Sequence, residues 1–360
     1  MKGTIEDVQV RAYRIPTDDP EADGTYRWDS TTLVVVHCRA GGTAGLGYSY
    51  ADAAAATLVK DKLAGKVLGR SAFNIPGCWF AMAGSVRNLG EQGIAMLAIS
   101  AVDTALWDLK AKLVGLPLVD LLGGVRDRVP VYGSGGFTSY TIEQLQHQLA
   151  GWVEEGIIRV KMKIGTQPDK DPERIARARA AIGSAQLFVD ANGAYDRKQA
   201  LAMAEIFNDY QVSWFEEPVV HHDLEGLRLI RDRAPATMEI SAGEYGFELD
   251  YFRRMAEAEA VDVLQADATR CGITGFLQAA NLCQAFHLPL SSHCAPALHL
   301  HPCCAASAVR HMEYFHDHVR IERMLFDGVV VPVAGELAPD RSRPGLGIEL
   351  KEDVAKRYEI

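Results

Sequence analysis

The rhythm of apolar and polar residues along the chain changes near residue 130. Ahead of it, residues 5–15 and 33–38 are rich in Val and Ile and predict strands. Residues 52–68 and 92–114 repeat their apolar positions at helical spacing. Gly115-Leu-Pro117 supplies the stop signal expected after the second helix. Between the two strands, residues 16–30 hold Asp18, Asp19, Glu21 and Asp23 among turn formers and predict a solvated hairpin loop. Beyond residue 130, short apolar runs alternate with amphipathic ones. Strands are predicted at 131–137, 159–164, 187–191, 213–216, 238–242, 261–266, 288–292 and 311–315. Helices are predicted at 171–182, 197–210, 224–233, 249–260 and 274–287. This alternation implies a parallel sheet. About eight units fit a (β/α)8 barrel, with a degenerate closing unit. A doubly wound open sheet is the alternative, weakened because no Gly-rich phosphate fingerprint follows the first strand. After Phe315, a tail broken by Pro332, Pro339 and Pro344 runs to Ile360 and is expected to return to the N-terminal part.

At 360 residues, the chain exceeds a typical single domain. Its 48% apolar and 23% charged residues are ordinary for a globular protein with a sizeable core. A net charge of -10 argues against nucleic acid or an anionic membrane as the main partner. An anionic substrate would then need a local cluster of cations. The seven Cys, at 38, 78, 271, 283, 294, 303 and 304, have no metal-like spacing and read as free thiols in a reducing compartment. The first residues lack the apolar stretch of a signal peptide. The most apolar window, 94–109, carries Asp103 and Asp108 and is too short to span a bilayer. The expected address is the cytoplasm.

The candidate chemistry lies at the strand ends. In a barrel, the C-terminal ends of the strands face the active site. Those ends carry Lys161 and Lys163, Asp190, Glu216, Glu244, Asp267, His293 and Glu313. Unpaired charge at a partly buried mouth is costly, so seven successive strands with such residues are not scattered solubility charges. Asp190, Glu216 and Glu244 fall 26 and 28 residues apart, about one β/α unit each. Adjacent strands lie about 4.8 Å apart, so the three carboxylates can converge. They would repel one another without a cation, and hard oxygen ligands favour Mg2+. Glu217 adjoins Glu216 on the opposite face, and spacing alone leaves open which of the two reaches the metal.

Lys161 and Lys163, at i and i+2, share one strand face, where two ammonium groups are expected to lower each other's pKa and leave one a competent base. Asp267 and His293 end neighbouring strands, and a carboxylate beside an imidazole fixes its tautomer and raises its basicity. The other His are assigned no role. His299 and His301 have the wrong spacing for one helix face, and His221 and His222 read as solvated loop residues.

These residues bring a known pattern into view. Ala98-Ile-Ser-Ala-Val-Asp-Thr-Ala-Leu-Trp-Asp-Leu-Lys-Ala-Lys112, Lys161-Met-Lys163, Asp190-Ala-Asn192, Trp214-Phe-Glu-Glu-Pro218, Gly243-Glu244, Asp267 and Ser291-Ser-His293 follow in an order that resembles the mandelate racemase subgroup of the enolase superfamily over nearly the whole chain. The resemblance implies a modified TIM barrel, (β/α)7β, at 129–325 under an α+β capping domain at 1–128, with 326–360 returning to the cap. It implies one Mg2+ per subunit on Asp190, Glu216 and Glu244, choosing Glu216 over Glu217, and a homo-oligomer. It also makes residues 16–30, with Trp28, and 46–50, with Tyr48, cap loops that select the substrate. Muconate-lactonizing relatives carry Lys on the sixth strand where this chain has Asp267, which speaks against cycloisomerase or dipeptide epimerase chemistry. Arg270 stands where Lys is frequent and is expected to hold Asp267 or cap its loop. Cys294 reads as a small core residue.

The expected substrate is a small hydroxy-carboxylate. Lys163 would take its α-proton, and Lys161 and a protonated Glu313 would bind its carboxylate. His293, primed by Asp267, would stand on the other face, and Asn192 would contact substrate from the strand face of Asp190. With a 3-hydroxyl present, the outcome is dehydration of an acid sugar to a 2-keto-3-deoxy acid. Without one, it is racemisation or epimerisation of a 2-hydroxy acid. The polar 16–30 segment favours the polyol. The reading from a different class is a non-catalytic enolase-like protein kept for binding or structure.

Overall fold

The computed structural model describes residues 3–360. Its N-terminal sheet is an antiparallel meander of β1 (Asp7–Ala22), β2 (Arg27–Ala40) and β3 (Thr43–Tyr50). Alternation along β2 sends Val34, Val36 and Cys38 into a core with the helices Ile75–Val86 and Ile94–Val114. Leu33 and Val35 face the other way and join the barrel core. The same parity organises β3. Leu46 and Tyr48 point toward the barrel, while Gly47 lies so close to the long helix that a Cβ would come 2.2 Å from the Ala101 carbonyl oxygen. The expected loop at 46–50 is therefore a strand, its glycines serving close packing rather than a turn.

The segment 16–30 also departs from the expected loop. Both strands continue through it to a tight turn, where Asp23 Oδ1 accepts from the N–H groups of Thr25 (2.6 Å) and Tyr26 (2.7 Å). Pairing is regular to Pro16↔Ser30 and resumes at Glu21↔Trp28, leaving a bulge in β1. Helix Ile75–Val86 was not expected. Asn74 caps it by accepting from Gly77 N–H.

Eight parallel strands follow in sequence order: β4 (Val129–Gly135), β5 (Arg159–Lys163), β6 (Gln186–Asp190), β7 (Val212–Glu216), β8 (Glu239–Ala242), β9 (Val263–Ala266), β10 (Leu290–Ser292) and β11 (Val309–Phe315). β11 pairs back onto β4 and closes the barrel. Register sets its layers. Lys161, Phe188 and Trp214 lie side by side on β5, β6 and β7, and one level higher so do Lys163, Asp190 and Glu216. Phe188 stacks on Trp214 at 5.2 Å between ring centroids, and Tyr132 meets Phe188 edge-on at 5.5 Å. The ionisable mouth thus rests on an aromatic floor.

Past Phe315, where only a tail was expected, helix His316–Leu325 packs against the barrel. The tail then reaches the cap: Ile360 N–H donates to the Ala12 carbonyl (3.0 Å), and Arg11 pairs with Glu352 (2.6 Å). All seven Cys are buried and free. Among the described residues, no helix is long and apolar enough to cross a membrane.

Candidate active site

The strand ends converge on a cavity of about 220 Å³ between barrel and cap, walled by Lys163, Asn192, Glu244, Asp267, His293 and Glu313 among others. Carboxylate oxygens of Asp190, Glu216 and Glu244 lie within 4.8 Å of one another, all three residues buried. Glu244 is aimed by Gly243, whose φ of +133° suits glycine alone and whose Cβ would come 2.3 Å from the Gln265 carbonyl oxygen. Trp214 Nε1 donates to Glu216 Oε2 (2.9 Å), so the aromatic floor also orients an acid.

Lys161 Nζ is wholly buried, 2.6 Å from Glu216 Oε1, 2.7 Å from Glu313 Oε1 and 3.5 Å from Asp190 Oδ2. Lys163 Nζ donates to Asp190 Oδ2. The expected mutual lowering of the two Lys pKa values is outweighed. Burial lowers Lys163, but the charge of Asp190 overrides it and holds the ammonium above its ordinary value even with Lys161 adjacent. Burial likewise lowers Lys161, and Glu216 and Glu313 push it well above. Among the acids, burial and Asp190 push Glu216 up to about 8. Asp190 is held below the usual range against its own burial by Lys163 and Lys161.

Glu313 was expected to carry a proton, and its protein partners favour the carboxylate instead. Its carboxylate accepts from Ser134 Oγ (2.6 Å) and Cys294 N–H (2.7 Å) and pairs with Lys161. Burial raises its pKa, but Lys161 and His293 hold it well below the usual range, so it is ionised.

His293 Nδ1 lies 2.8 Å from Asp267 Oδ2, and Thr269 N–H donates to Asp267 Oδ1 (2.7 Å). His293 Nε2 faces Glu244 Oε2 at 3.3 Å and Cys294 Sγ at 3.3 Å. Burial lowers His293, and Glu244 with Asp267 raises it to about 9. Arg270 Nε lies 3.5 Å from Asp267 Oδ2, its Nη2 3.7 Å from Glu244 Oε1, and its guanidinium rests over the Tyr245 ring. It bridges the two acids rather than simply capping a loop. Cys294 is a wall residue of the cavity with φ of +53°, not only a core filler.

The cap contributes Trp28 to the wall, but not Tyr48. Tyr48 is fully buried, its hydroxyl donating to Glu322 (2.6 Å), so it ties cap to barrel and does not reach the cavity. Two residues on, Tyr50 lines the cavity, stacked on His318 at 3.4 Å. Tyr50, Tyr245, Thr269 and His318 were not singled out from the sequence. The only signal for Tyr245 and Thr269 was position: Tyr245 directly follows Glu244, and Thr269 lies two residues after Asp267. Asn192 lines the cavity from a left-handed turn (φ +46°) beyond β6, not from the strand face. His299 and His301 are buried acceptors for the N–H groups of Ala268 (2.7 Å) and Val119 (3.1 Å). His221, expected in solvent, is half-buried against Tyr245.

The donor set fits a divalent cation. It is all carboxylate oxygen and buried, and Glu244 Oε2 accepts no hydrogen bond among the described residues, its 3.3 Å approach to His293 Nε2 being an ion-pair contact only. Glu217, next to Glu216, is buried with Oε1 also unpartnered, but it is not one of the converging three.

Residues 7–123 match the mandelate racemase/muconate lactonizing enzyme N-terminal domain, and residues 144–354 the enolase C-terminal domain-like family. A 3,6-anhydro-alpha-L-galactonate cycloisomerase of Streptomyces coelicolor is 33% identical over 96% of this chain and 97% of its own length. The chain is thus similar to a relative named a cycloisomerase, the class that Asp267 was expected to disfavour. The solved structure of a mandelate racemase/muconate lactonizing enzyme-like protein from Rubrobacter xylanophilus is 52% identical, covers 99% of this chain and 100% of that one, and superposes with a TM-score of 0.97. That of L-talarate dehydratase from Polaromonas sp. JS666, complexed with Mg and L-glucarate, is 31% identical, covers 99% and 97%, and has a TM-score of 0.89. Across both of its domains, the chain belongs to the mandelate racemase/muconate lactonizing enzyme family of the enolase superfamily.

Proposed function

We propose that this chain removes the α-proton of a small hydroxy-carboxylate and expels the β-oxygen, dehydrating an acid sugar to a 2-keto-3-deoxy acid, with one Mg2+ per subunit on Asp190, Glu216 and Glu244. The observation that carries the reading is the pairing of two proton-transfer groups across one small cavity. Lys163 comes from β5 and the Asp267–His293 pair from β9 and β10, and all three line that cavity. A divalent cation held by Asp190, Glu216 and Glu244 would supply Lewis-acid stabilisation of the charge that builds on the substrate carboxylate, and would offset the carboxylates that keep Lys163 protonated.

The remaining work falls to side chains. Lys161, fixed by Glu216 and Glu313, offers its charge to a substrate carboxylate. Lys163 takes the proton from C2, and the C2–H electron pair enters the enediolate. That pair then drives out the C3 oxygen as His293 gives it a proton, and the resulting enol tautomerises to the ketone. Asp267 holds His293 with Nε2 toward the cavity, which is the geometry a general acid needs. Thr269, Tyr245, Tyr50 and His318 add hydrogen-bonding groups to the wall, which suits a polyol better than an aromatic hydroxy acid. The same elimination opens a ring when the departing oxygen is a ring ether, a reading favoured by the cycloisomerase relative.

The test is a panel of mono- and diacid sugars and their anhydro forms, incubated with Mg2+ in D2O. Keto-acid formation is expected. Deuterium at C2 without keto acid would instead mark a racemase, and cation binding without any turnover a binding protein.

A further inference from the structure

A second group of metal-type donors lies outside the catalytic mouth, where the β1–β2 hairpin meets the end of β11. One ligand atom each from Asp18, Glu21 and His316 fall within 4.8 Å of one another. Asp18 Oδ2 and His316 Nε2 are 2.8 Å apart, a hydrogen-bonding separation that would open by about 0.5 Å for both to ligate one tetrahedral ion. Glu21 is wholly buried. Its Oε2 accepts from Trp28 Nε1 (2.8 Å), but Oε1 has no partner among the described residues. A buried carboxylate oxygen without a partner calls for a proton, a water or a cation.

The backbone is built to make this group. Residues 18 and 21 of a regular strand would face opposite sides. Here β1 advances from Pro16 to Glu21 while β2 goes back only from Ser30 to Trp28, so extra residues bulge out of β1 and free the two acids to turn together. The neighbouring cation is already engaged: Arg320 Nη2 donates to Asp317 Oδ1 (2.6 Å) and to the Pro16 carbonyl (2.7 Å). Thr31 Oγ1 occupies the other oxygen of Asp317 (2.5 Å). A cavity of about 330 Å³, with Asp18, His316 and His147 in its wall, offers an entry path.

We propose that Asp18, Glu21 and His316 form a second divalent-cation site that clamps the Trp28 hairpin onto the barrel. One imidazole with two carboxylates suits Zn2+ better than Mg2+, in contrast to the all-carboxylate set at the mouth. The site is coupled to the active cavity on both sides. Glu21 holds Trp28, and His316 follows Phe315, and Trp28 and Phe315 both line that cavity.

The test is equilibrium dialysis of the metal-stripped protein against Zn2+, with elemental analysis of bound metal. His316→Gln should bind one Zn2+ per chain fewer than the wild type. Asp18→Asn, at a half-exposed position that should leave folding intact, should show the same loss. Glu244→Gln reports the mouth site separately, so failure of one site does not mask the other. Excess Mg2+ should leave the His316-dependent ion in place. Unchanged Zn2+ counts in folded His316→Gln or Asp18→Asn, or displacement of that ion by Mg2+, would overturn the proposal.

Discussion

At the scale of single residues, the barrel mouth is a set of ionisable side chains held at the ends of apolar strands. Lys163, Asp190, Glu216, Asp267 and His293 each close or follow an apolar strand, Lys161 and Glu313 stand two residues before the end of theirs, and strand parity sends alternate residues inward. What the sequence could not convey was the field they make together. Crowded Lys suggested a lowered pKa, but four buried carboxylates lie around them and hold both ammonium groups charged. Lys163→Ala and His293→Asn should each lower kcat by about 10²–10⁴-fold. Steady-state kinetics check this, and full activity in either variant contradicts the two-base scheme. Tyr48 was misjudged although it shares its strand face with Tyr50, because how far along β3 the barrel mouth falls is a tertiary fact. Its partner Glu322 gives a pH test away from the mouth. Burial pushes Glu322 up to about 8 in the fold, from an ordinary value of 4.5. A raised carboxyl stabilises below its unfolded pKa and loses that contribution as pH rises through the folded one. Stability should therefore fall between about pH 5 and 8, by on the order of 2–4 kcal/mol from this group. Denaturant unfolding of Glu322→Gln should show a flatter profile across that window, and an identical slope would contradict the assignment.

At the scale of elements, the barrel strands were readable because each is a short apolar run between amphipathic helices. The cap was harder. Acidic and turn-forming residues at 16–30 looked like a loop, yet cross-strand pairing carries both strands through them. Gly45 and Gly47, in and beside the expected loop at 46–50, lie in a strand and admit the close approach of the helix Ile94–Val114. Helix His316–Leu325 was missed because it directly follows the last strand and is rich in charge, though Val319, Ile321 and Leu325 give it a buried face. Gly243 is the one glycine whose conformation the site itself requires. Gly243→Ala should destabilise the protein by about 2–4 kcal/mol through its positive φ and the clash with the Gln265 carbonyl. It should also weaken Mg2+ binding by moving Glu244. Melting curves with and without Mg2+ report both, and a variant with unchanged stability and metal response would mean that the β8 end tolerates a side chain.

For the molecule as a whole, the cap, barrel and tail are one design problem. The barrel mouth concentrates ionisable residues on an aromatic floor. The cap closes over them with Trp28 and Tyr50, and the tail ties back to β1. Sequence periodicity indicated the barrel, but which cap residues would reach the cavity was set by packing between segments far apart in the chain. The account rests on three carboxylates from β6, β7 and the end of β8 holding one cation. The most direct measurement is a calorimetric titration of Mg2+ into metal-stripped protein, beside Glu216→Gln and Glu244→Gln. One Mg2+ per chain in the wild type, with affinity lost at least tenfold in each variant, is the expected result. No binding by the wild type, or undiminished binding by both variants, would contradict it.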